Sequence, residues 1–118
     1  MEGCIFCKIV KGEVKVDVLY EDELALAFAD VAPIAPVHIL IIPKKHIENI
    51  AHLPKSEKDE RMMGRLISIA RDLAEKNGIA KDGYKLLFRV GENGGQEIPH
   101  IHLHLIGGAK LSEGIHPC

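Results

Sequence analysis

Three histidines alternate with aliphatic residues near the carboxyl end of the chain, at positions 100, 102 and 104. If this segment is a β-strand, His100, His102 and His104 share one face, because successive side chains of a strand point to opposite sides. Neighbouring imidazoles then lie roughly 6–7 Å apart, close enough for several to engage one phosphate or one metal ion. With ordinary pKa values of about 6.5, they can supply both a nucleophile and a proton donor at neutral pH. The spacing indicates transfer of a phosphorus group through a histidine nucleophile, or a metal site; the alternative is a solvated polar face.

Two of the three cysteines stand near the amino terminus with the spacing Cys4-x-x-Cys7, and the third, Cys118, is the last residue. Two thiolates at this spacing supply half of a tetrahedral zinc site, which needs two further ligands. A thioredoxin-like redox pair has the same spacing, but that motif normally follows a strand within a βαβ unit, and no strand is predicted before Cys4. The pattern therefore favours zinc over a free, reduced pair, and Cys118 is predicted to take no part.

Hydrophobic periodicity predicts the elements that position these residues. Ser56 can cap a helix, and apolar residues then repeat at helical spacing until Asn77 and Gly78. Pro43 ends a β-branched run typical of a buried strand. Three strands, one helix and two strands favour an α+β domain on an antiparallel sheet over a doubly wound parallel one. In chain order the predicted elements are strands over 16–20, 24–28 and 37–42, a long helix over 56–77, and strands over 84–90 and 100–106.

Composition limits the class of protein. The chain has 118 residues, of which 47% are apolar and 27% charged, which predicts one domain spanning 1–118. A net charge of −2 without a long run of either sign argues against a nucleic-acid partner. No stretch reaches the roughly 20 apolar residues that cross a bilayer, and the start lacks the pattern of a secretory signal. We therefore expect no membrane partner and a cytoplasmic location.

Residues over nearly the whole chain resemble the histidine triad (HIT) superfamily, specifically its Hint-like nucleoside phosphoramidase branch. This resemblance implies a HIT-like α+β fold: a five-stranded antiparallel sheet with one long helix and short helical segments, the sheets of two subunits joining across a homodimer. It rests on the run 100–106, on Gly94-Gly95-Gln96, and on upstream residues in the order and spacing of that branch, namely Phe28, Ala29, Asp30, Pro33, Ala35, Pro36, His38 and the run 42–47.

The same resemblance implies a reaction that requires no cofactor. His102 matches the family's nucleophile, which attacks the α-phosphate of a nucleotide and forms a nucleotidyl-histidine that water cleaves. His104 is expected to bind phosphate and help protonate the leaving group, and His38 and His100 complete the catalytic group. The expected function is release of a nucleoside monophosphate, AMP, from a phosphoramidate or related conjugate. The alternatives are a dinucleoside polyphosphate hydrolase or nucleotidyl transferase, and a nucleotide-binding regulatory module without turnover.

A purine nucleotide is the implied partner of this site. Asp30 is expected to accept hydrogen bonds from the two ribose hydroxyls, although on chemistry alone it is equally well a turn residue. The resemblance also assigns to nucleotide binding the apolar residues Phe6, Ile9, Phe28 and Val31, which sandwich the purine, and the loop residues Asn93, Gly95 and Gln96.

Many bacterial members of the family with an amino-terminal cysteine pair hold a structural zinc ion. By that resemblance His46 and His100 are the expected ligands beside Cys4 and Cys7. His100 then orients the triad strand rather than taking part in the chemistry.

The chain departs from the family pattern at two positions near the phosphate or leaving group. Arg89 stands where animal members carry Asn, and Glu97 stands where they carry Ser. The tail 114–118 lacks the tryptophan that many Hint-like proteins place there. These departures leave the leaving group unassigned. The two remaining histidines, His52 and His116, are predicted to be surface residues.

Overall fold

Five antiparallel strands form the centre of the protein, whose structure is a computed structural model describing residues 3–114. In chain order the elements are α1 (Ile5–Val10), β1 (Val18–Glu21), β2 (Ala25–Ala29), β3 (Val37–Pro43), a 3-10 turn (Ile50–His52), α2 (Glu57–Lys76), β4 (Tyr84–Leu87) and β5 (Leu103–Gly107). The strand order across the sheet is β1-β2-β3-β5-β4, and each neighbouring pair is antiparallel. The predicted α+β fold with a five-stranded antiparallel sheet and one long helix is confirmed.

Helix α2 occupies the predicted segment because both of its ends are capped locally. Ser56 Oγ accepts a hydrogen bond from the Asp59 backbone N–H over 3.1 Å and donates one to the Asp59 carboxylate over 2.6 Å. Lys45 donates to the other oxygen of that carboxylate over 2.9 Å, which ties the start of the helix to the segment after β3. Asn77 is the C-cap, and Gly78, at φ 73°, takes the left-handed conformation that turns the chain away.

Removing the Ser56 hydroxyl is expected to destabilise the fold by about 1 kcal/mol, because the Asp59 N–H loses its acceptor at the helix start. The midpoint of a thermal melt should then fall by about 4 °C in Ser56→Ala. Ser68→Ala, which removes a hydroxyl from the body of the same helix, is the matched control and should melt near the wild-type temperature. Equal melting temperatures for the two variants would show that the cap adds no stability.

The sheet is covered on both faces. On one face, side chains of β2, β3 and β5 pack against α2, and the aliphatic partners of the histidine run, Ile101, Leu103 and Leu105, lie in that core as predicted. On the other face α1 packs against the sheet. Its apolar cluster contains Cys4, Phe6, Cys7 and Ile9 from the amino-terminal segment together with Leu26, Phe28, Leu40 and Ile42. Since Leu40 pairs with His104 across the β3–β5 ladder, the histidines lie on the α1 side.

Some element ends differ from the prediction. β4 ends three residues early, at Leu87, and β5 begins three residues late, at Leu103. The residues before Leu103 are bonded elsewhere, because the Ile101 N–H donates to the Ile47 carbonyl over 2.8 Å. The predicted hairpin and third strand are confirmed with ends shifted by at most two residues. Within residues 3–114, no helix is both long and apolar enough to cross a membrane.

Candidate functional site

A cavity of about 420 Å³ opens on the sheet face that α1 covers. One side is apolar, formed by α1, the segment after it, β2 and β3. The opposite side is formed by β5 and by the loop between β4 and β5. The polar side chains that line the cavity are Lys15, Asp30, Arg89, Glu97, His102 and His104, and its apolar lining includes Ile5, Phe6, Ile9, Val14, Val16, Phe28, Val31, Leu40 and Ile98.

A larger depression, about 710 Å³, lies between the end of α2, β4 and the residues after β5. Its lining contains lysines, glycines and one aspartate but no histidine or cysteine. A nucleophile with a proton donor beside it occurs only in the smaller of these two cavities, which is therefore the candidate active site.

The tautomer of His102 follows from one hydrogen bond. Its Nδ1 lies 2.8 Å from the His100 carbonyl oxygen, which can only accept, so Nδ1 carries the proton. Burial lowers the pKa of His102, so the ring is neutral at pH 7. The other nitrogen, Nε2, therefore holds a lone pair. His102 thus has the protonation state that a nucleophilic imidazole needs, on the wall of the cavity.

A second chain of hydrogen bonds assigns the protons of His38 and His104. The Ile34 N–H donates to His38 Nδ1 over 3.2 Å, so the proton of neutral His38 is on Nε2. That nitrogen lies 3.0 Å from His104 Nδ1 and 3.3 Å from an Asp30 oxygen. Burial lowers the pKa of His38 and lowers that of His104 to about 4, so both rings are neutral at pH 7. With Nδ1 accepting, His104 carries its proton on Nε2.

His104 Nε2 is a buried donor without a hydrogen-bond partner in the part of the chain that the structure describes. A buried N–H without an acceptor is costly, which makes it a natural binding point for an anionic oxygen. The ring centroids of His104 and His102 are 5.0 Å apart. One phosphate can therefore meet the nucleophile and the donor together.

Asp30 is both a turn residue and a cavity residue. One carboxylate oxygen accepts from the Ala32 N–H over 2.9 Å, which is the turn geometry considered as an alternative. The other faces His38. Each carboxylate oxygen has two acceptor sites, so the carboxylate keeps capacity for ribose hydroxyls.

The structure brings most, but not all, of the predicted nucleotide-binding residues together. Gln96 and Asn93 do not line the cavity. Gln96 instead braces its loop, accepting from the Gly91 N–H over 2.9 Å and donating to the Glu48 carbonyl over 2.7 Å, and Asn93 is exposed. The predicted residues that do line the cavity are Phe6, Ile9, Phe28, Asp30, Val31, Gly95, His102 and His104.

The histidine face of the triad run is divided between two sites. His102 and His104 face the cavity, whereas His100 is 0% exposed and joins a separate cluster with His46 and the two amino-terminal cysteines. The Phe6 ring packs edge-on against both imidazoles, its centroid 5.8 Å from that of His100 and 5.1 Å from that of His102. His38 does not line the cavity, but its Nε2 hydrogen-bonds to His104 Nδ1.

The second cluster fits a tetrahedral zinc ion. Four ligands at bond lengths of about 2.0–2.3 Å stand roughly 3.3–3.8 Å apart. The Nδ1 of His100 lies 3.5 Å from Cys4 Sγ, 3.6 Å from Cys7 Sγ and 3.2 Å from His46 Nδ1, and Cys7 Sγ is 3.2 Å from that same His46 nitrogen. His100 Nε2 donates to the Pro43 carbonyl over 2.8 Å, which leaves its Nδ1 lone pair directed at the cluster. Both cysteines are free thiols.

The amino-terminal segment shows what the sequence analysis missed. Cys4 is the N-cap of α1, its sulfur accepting from the Cys7 N–H over 3.4 Å, so the pair does open a helix although no strand precedes it among the described residues. Lys15 and Ile98 line the cavity without having been predicted, because nothing in their spacing marks them. His52 is exposed and pairs with Glu48 as expected of a surface residue. The predictions for His116 and Cys118 lie outside the described residues.

Sequence comparisons agree with this geometry. A family model described as "HIT domain" matches residues 11–111. The purine nucleoside phosphoramidase of Escherichia coli (strain K12) is 46% identical over 110 residues, covering 93% of this chain and 91% of that protein. Protein HitA of Neisseria gonorrhoeae is 37% identical over 107 residues, covering 91% of this chain and 97% of that protein.

Solved structures have the same architecture. A HIT family hydrolase from Legionella pneumophila superposes with a TM-score of 0.91 at 43% identity, covering 97% of this chain and all of that one. A histidine triad protein from Clostridium difficile gives a TM-score of 0.90 at 36% identity, with 96% of both chains covered. Because the alternating histidines, the cavity they face and these relatives agree over almost the full length, the chain belongs to the HIT domain family.

Proposed function

We propose that this protein is a hydrolase that releases a nucleoside monophosphate, AMP, from nucleotide phosphoramidates or related conjugates. The observation that carries the proposal is the pair of ring nitrogens in the cavity: His102 Nε2 with a lone pair, and His104 Nε2–H without an acceptor. The similarity to the purine nucleoside phosphoramidase of Escherichia coli supports the same activity.

The cavity offers a distinct place for each part of the nucleotide. We assign the purine to the apolar side, between the residues of α1 and Phe28, and the ribose to Asp30 at the end of β2. The α-phosphate then reaches His102, with one of its oxygens accepting from His104 Nε2. The three assigned positions therefore follow each other across the cavity in the order in which base, sugar and phosphate are joined in a nucleotide.

The chemistry proceeds in two displacements at phosphorus. In the first, the His102 Nε2 lone pair forms a bond to the α-phosphorus while the phosphorus–nitrogen bond of the substrate breaks. The electron pair of that broken bond stays on the leaving nitrogen. This nitrogen takes up one proton, which comes from solvent by way of His104. In the second, water attacks the phosphorus, the bond to Nε2 breaks, His102 recovers its lone pair and one proton is released. The His100 carbonyl stabilises the charge that His102 carries in between.

AMP release from adenosine 5′-phosphoramidate by the purified protein tests the proposal. Turnover is expected because the leaving group of this substrate is ammonia, the simplest amine that can be released once it is protonated in the cavity. Binding of AMP without turnover of phosphoramidates, dinucleoside polyphosphates or nucleotide sugars would contradict the hydrolase and favour the regulatory module. Turnover of dinucleoside polyphosphates alone would favour the second enzyme class.

We further propose that the four-residue cluster of Cys4, Cys7, His46 and His100 binds a structural zinc ion. The support is the donor set and its spacing, described above. When bound, the ion would cross-link α1 to the segments that follow β3 and precede β5. It would take no part in the phosphorus chemistry, because none of its four ligands lines the cavity that contains His102.

A homodimer is proposed on the resemblance to Hint-like proteins, with the edge strand β4 and the exposed face of α2 in the interface. Leu86 on β4 and Ile67 on α2 are 39% and 49% exposed, which gives that region apolar surface to bury. Sedimentation should give about twice the chain mass of 13.0 kDa. A monomer would remove this part of the proposal.

We also propose that the whole chain, 1–118, is a single HIT domain. The absence of a nucleic-acid partner and the cytoplasmic location stay predictions.

A further inference from the structure

Arg89 is a cation at the cavity that forms no ion pair among the described residues. Among residues 3–114, the guanidinium groups of Arg61, Arg65 and Arg71 each lie between 2.6 and 3.1 Å from a carboxylate oxygen. Arg89 makes no ion pair and donates no hydrogen bond within those residues, although it lines the cavity. An arginine without a partner at the edge of a binding site is available for an anion.

The position of Arg89 is set by the glycine loop. A Cβ placed on Gly95 would come within 3.3 Å of Arg89 Nη1, so the absence of a side chain there leaves room for the guanidinium. Gly95 also has φ 77°, a left-handed conformation that other residues rarely adopt.

The direction of the reaction places Arg89 on the side of the leaving group. In an in-line displacement the leaving group departs opposite the nucleophile. His102 is 7% exposed, so a group that leaves opposite its ring departs toward the more exposed side chains of the cavity. Arg89 is one of these exposed lining residues.

We infer that Arg89 is a specificity residue that favours leaving groups carrying an anionic oxygen, either a carboxylate or a phosphate, beyond the scissile bond. The inference rests on the proposed function, since it requires the α-phosphorus to sit at His102. Glu97 lines the same cavity with the opposite charge and partly offsets Arg89. The preference is therefore a local effect of the guanidinium and not of the net charge of the cavity.

Matched substrate pairs test this inference. AMP joined through nitrogen to glycine is compared with AMP joined to glycinamide, and AMP joined to phosphoethanolamine with AMP joined to ethanolamine. In the first pair a carboxylate is replaced by a neutral amide of nearly the same size, and in the second pair a phosphate is present or absent. The quantity measured is the ratio of kcat/KM for the anionic member to kcat/KM for the neutral member, in wild type, Arg89→Gln, Arg89→Lys, Glu97→Gln and, as a control at an exposed helix position, Arg61→Gln.

In Arg89→Gln we expect the ratio to fall about tenfold for at least one pair, the size of one charge-assisted hydrogen bond in a partly enclosed site, while the neutral substrate changes little. Arg89→Lys should keep much of the preference, Glu97→Gln should raise it, and Arg61→Gln should leave it unchanged. The wild-type ratio should also fall as salt rises from about 0.05 M to about 0.5 M, because screening weakens a charge interaction. The pair that responds identifies carboxylate or phosphate as the recognised group.

Equal losses for the anionic and neutral members in Arg89→Gln would overturn the inference, because they would show that Arg89 acts on the α-phosphate or on the loop. If no conjugate is turned over by wild type, the proposed function fails, and the inference is then decided by dissociation constants of the same four conjugates. A binding preference for the anionic members that Arg89→Gln abolishes would still support it, and an unchanged preference would overturn it.

Discussion

Replacing His102 by alanine is expected to reduce AMP release from adenosine 5′-phosphoramidate by about 10⁴-fold or more, the usual scale for loss of a catalytic nucleophile. The structural reason is that the Nε2 lone pair of His102 is the group that attacks phosphorus in the proposed reaction. AMP binding should persist, because the apolar side of the cavity and Asp30 are untouched. Rapid quenching of the wild type should also give an adduct heavier by one adenylyl group, that is AMP less the elements of water, mapping to residue 102.

Two further variants make this result specific. His52→Ala removes an exposed histidine that is paired with Glu48, and it should keep wild-type turnover. His104→Gln, which keeps a donor but loses the imidazole, should slow the reaction while still allowing the adduct at His102 to form. An adduct on another histidine, or substantial turnover by His102→Ala, would contradict the assignment of the nucleophile.

The second large effect is expected from replacing Cys4 by serine. Serine is a better N-cap than most residues, so this variant keeps the cap of α1 and removes only the sulfur ligand. We expect the purified wild type to contain about one zinc ion per chain and the variant to contain much less. The thermal midpoint should fall by on the order of 10 °C, because metal binding to four ligands adds free energy to folding.

Cys118→Ser is the matched control, since it removes a thiol that the sequence predicts to be uninvolved. Treatment of the wild type with a strong chelator should reproduce the lower melting temperature of Cys4→Ser, and adding zinc back should restore it. A wild type without bound metal, and with a midpoint that neither the chelator nor Cys4→Ser changes, would reject the zinc proposal.

The elements that could be predicted are those whose signals are local. Helix α2 is predictable because the residues at its own ends, Ser56 and Asn77, are typical helix caps. Strand β3 is predictable because its β-branched run ends at a proline. Helix α1 has only six residues, too few to show a helical period, and it contains β-branched residues that favour strands. Its existence depends on packing against the sheet, which no local pattern reports.

The candidate site could be predicted in its residue types but not in its proton positions. The alternation of the histidines predicts a shared face, but it does not reveal that His100 joins the cysteine cluster while His102 and His104 line the cavity. The tautomers of His38 and His102 depend on the Ile34 N–H and the His100 carbonyl, whose orientations are set by tertiary structure. The resemblance predicts that Gln96 binds the nucleotide, but it does not predict the hydrogen bonds by which the Gln96 side chain holds its loop.

The alternation in residues 100–105 has a consequence for how this segment can change during evolution. Its odd positions fill the core against α2, and its even positions serve the two polar sites. Exchanging one aliphatic residue for another of similar volume costs little. A shift of the whole segment by one residue would instead move every histidine into the core and every aliphatic residue to the polar face at once. The register of this short segment therefore constrains its sequence more than the identity of its aliphatic members does.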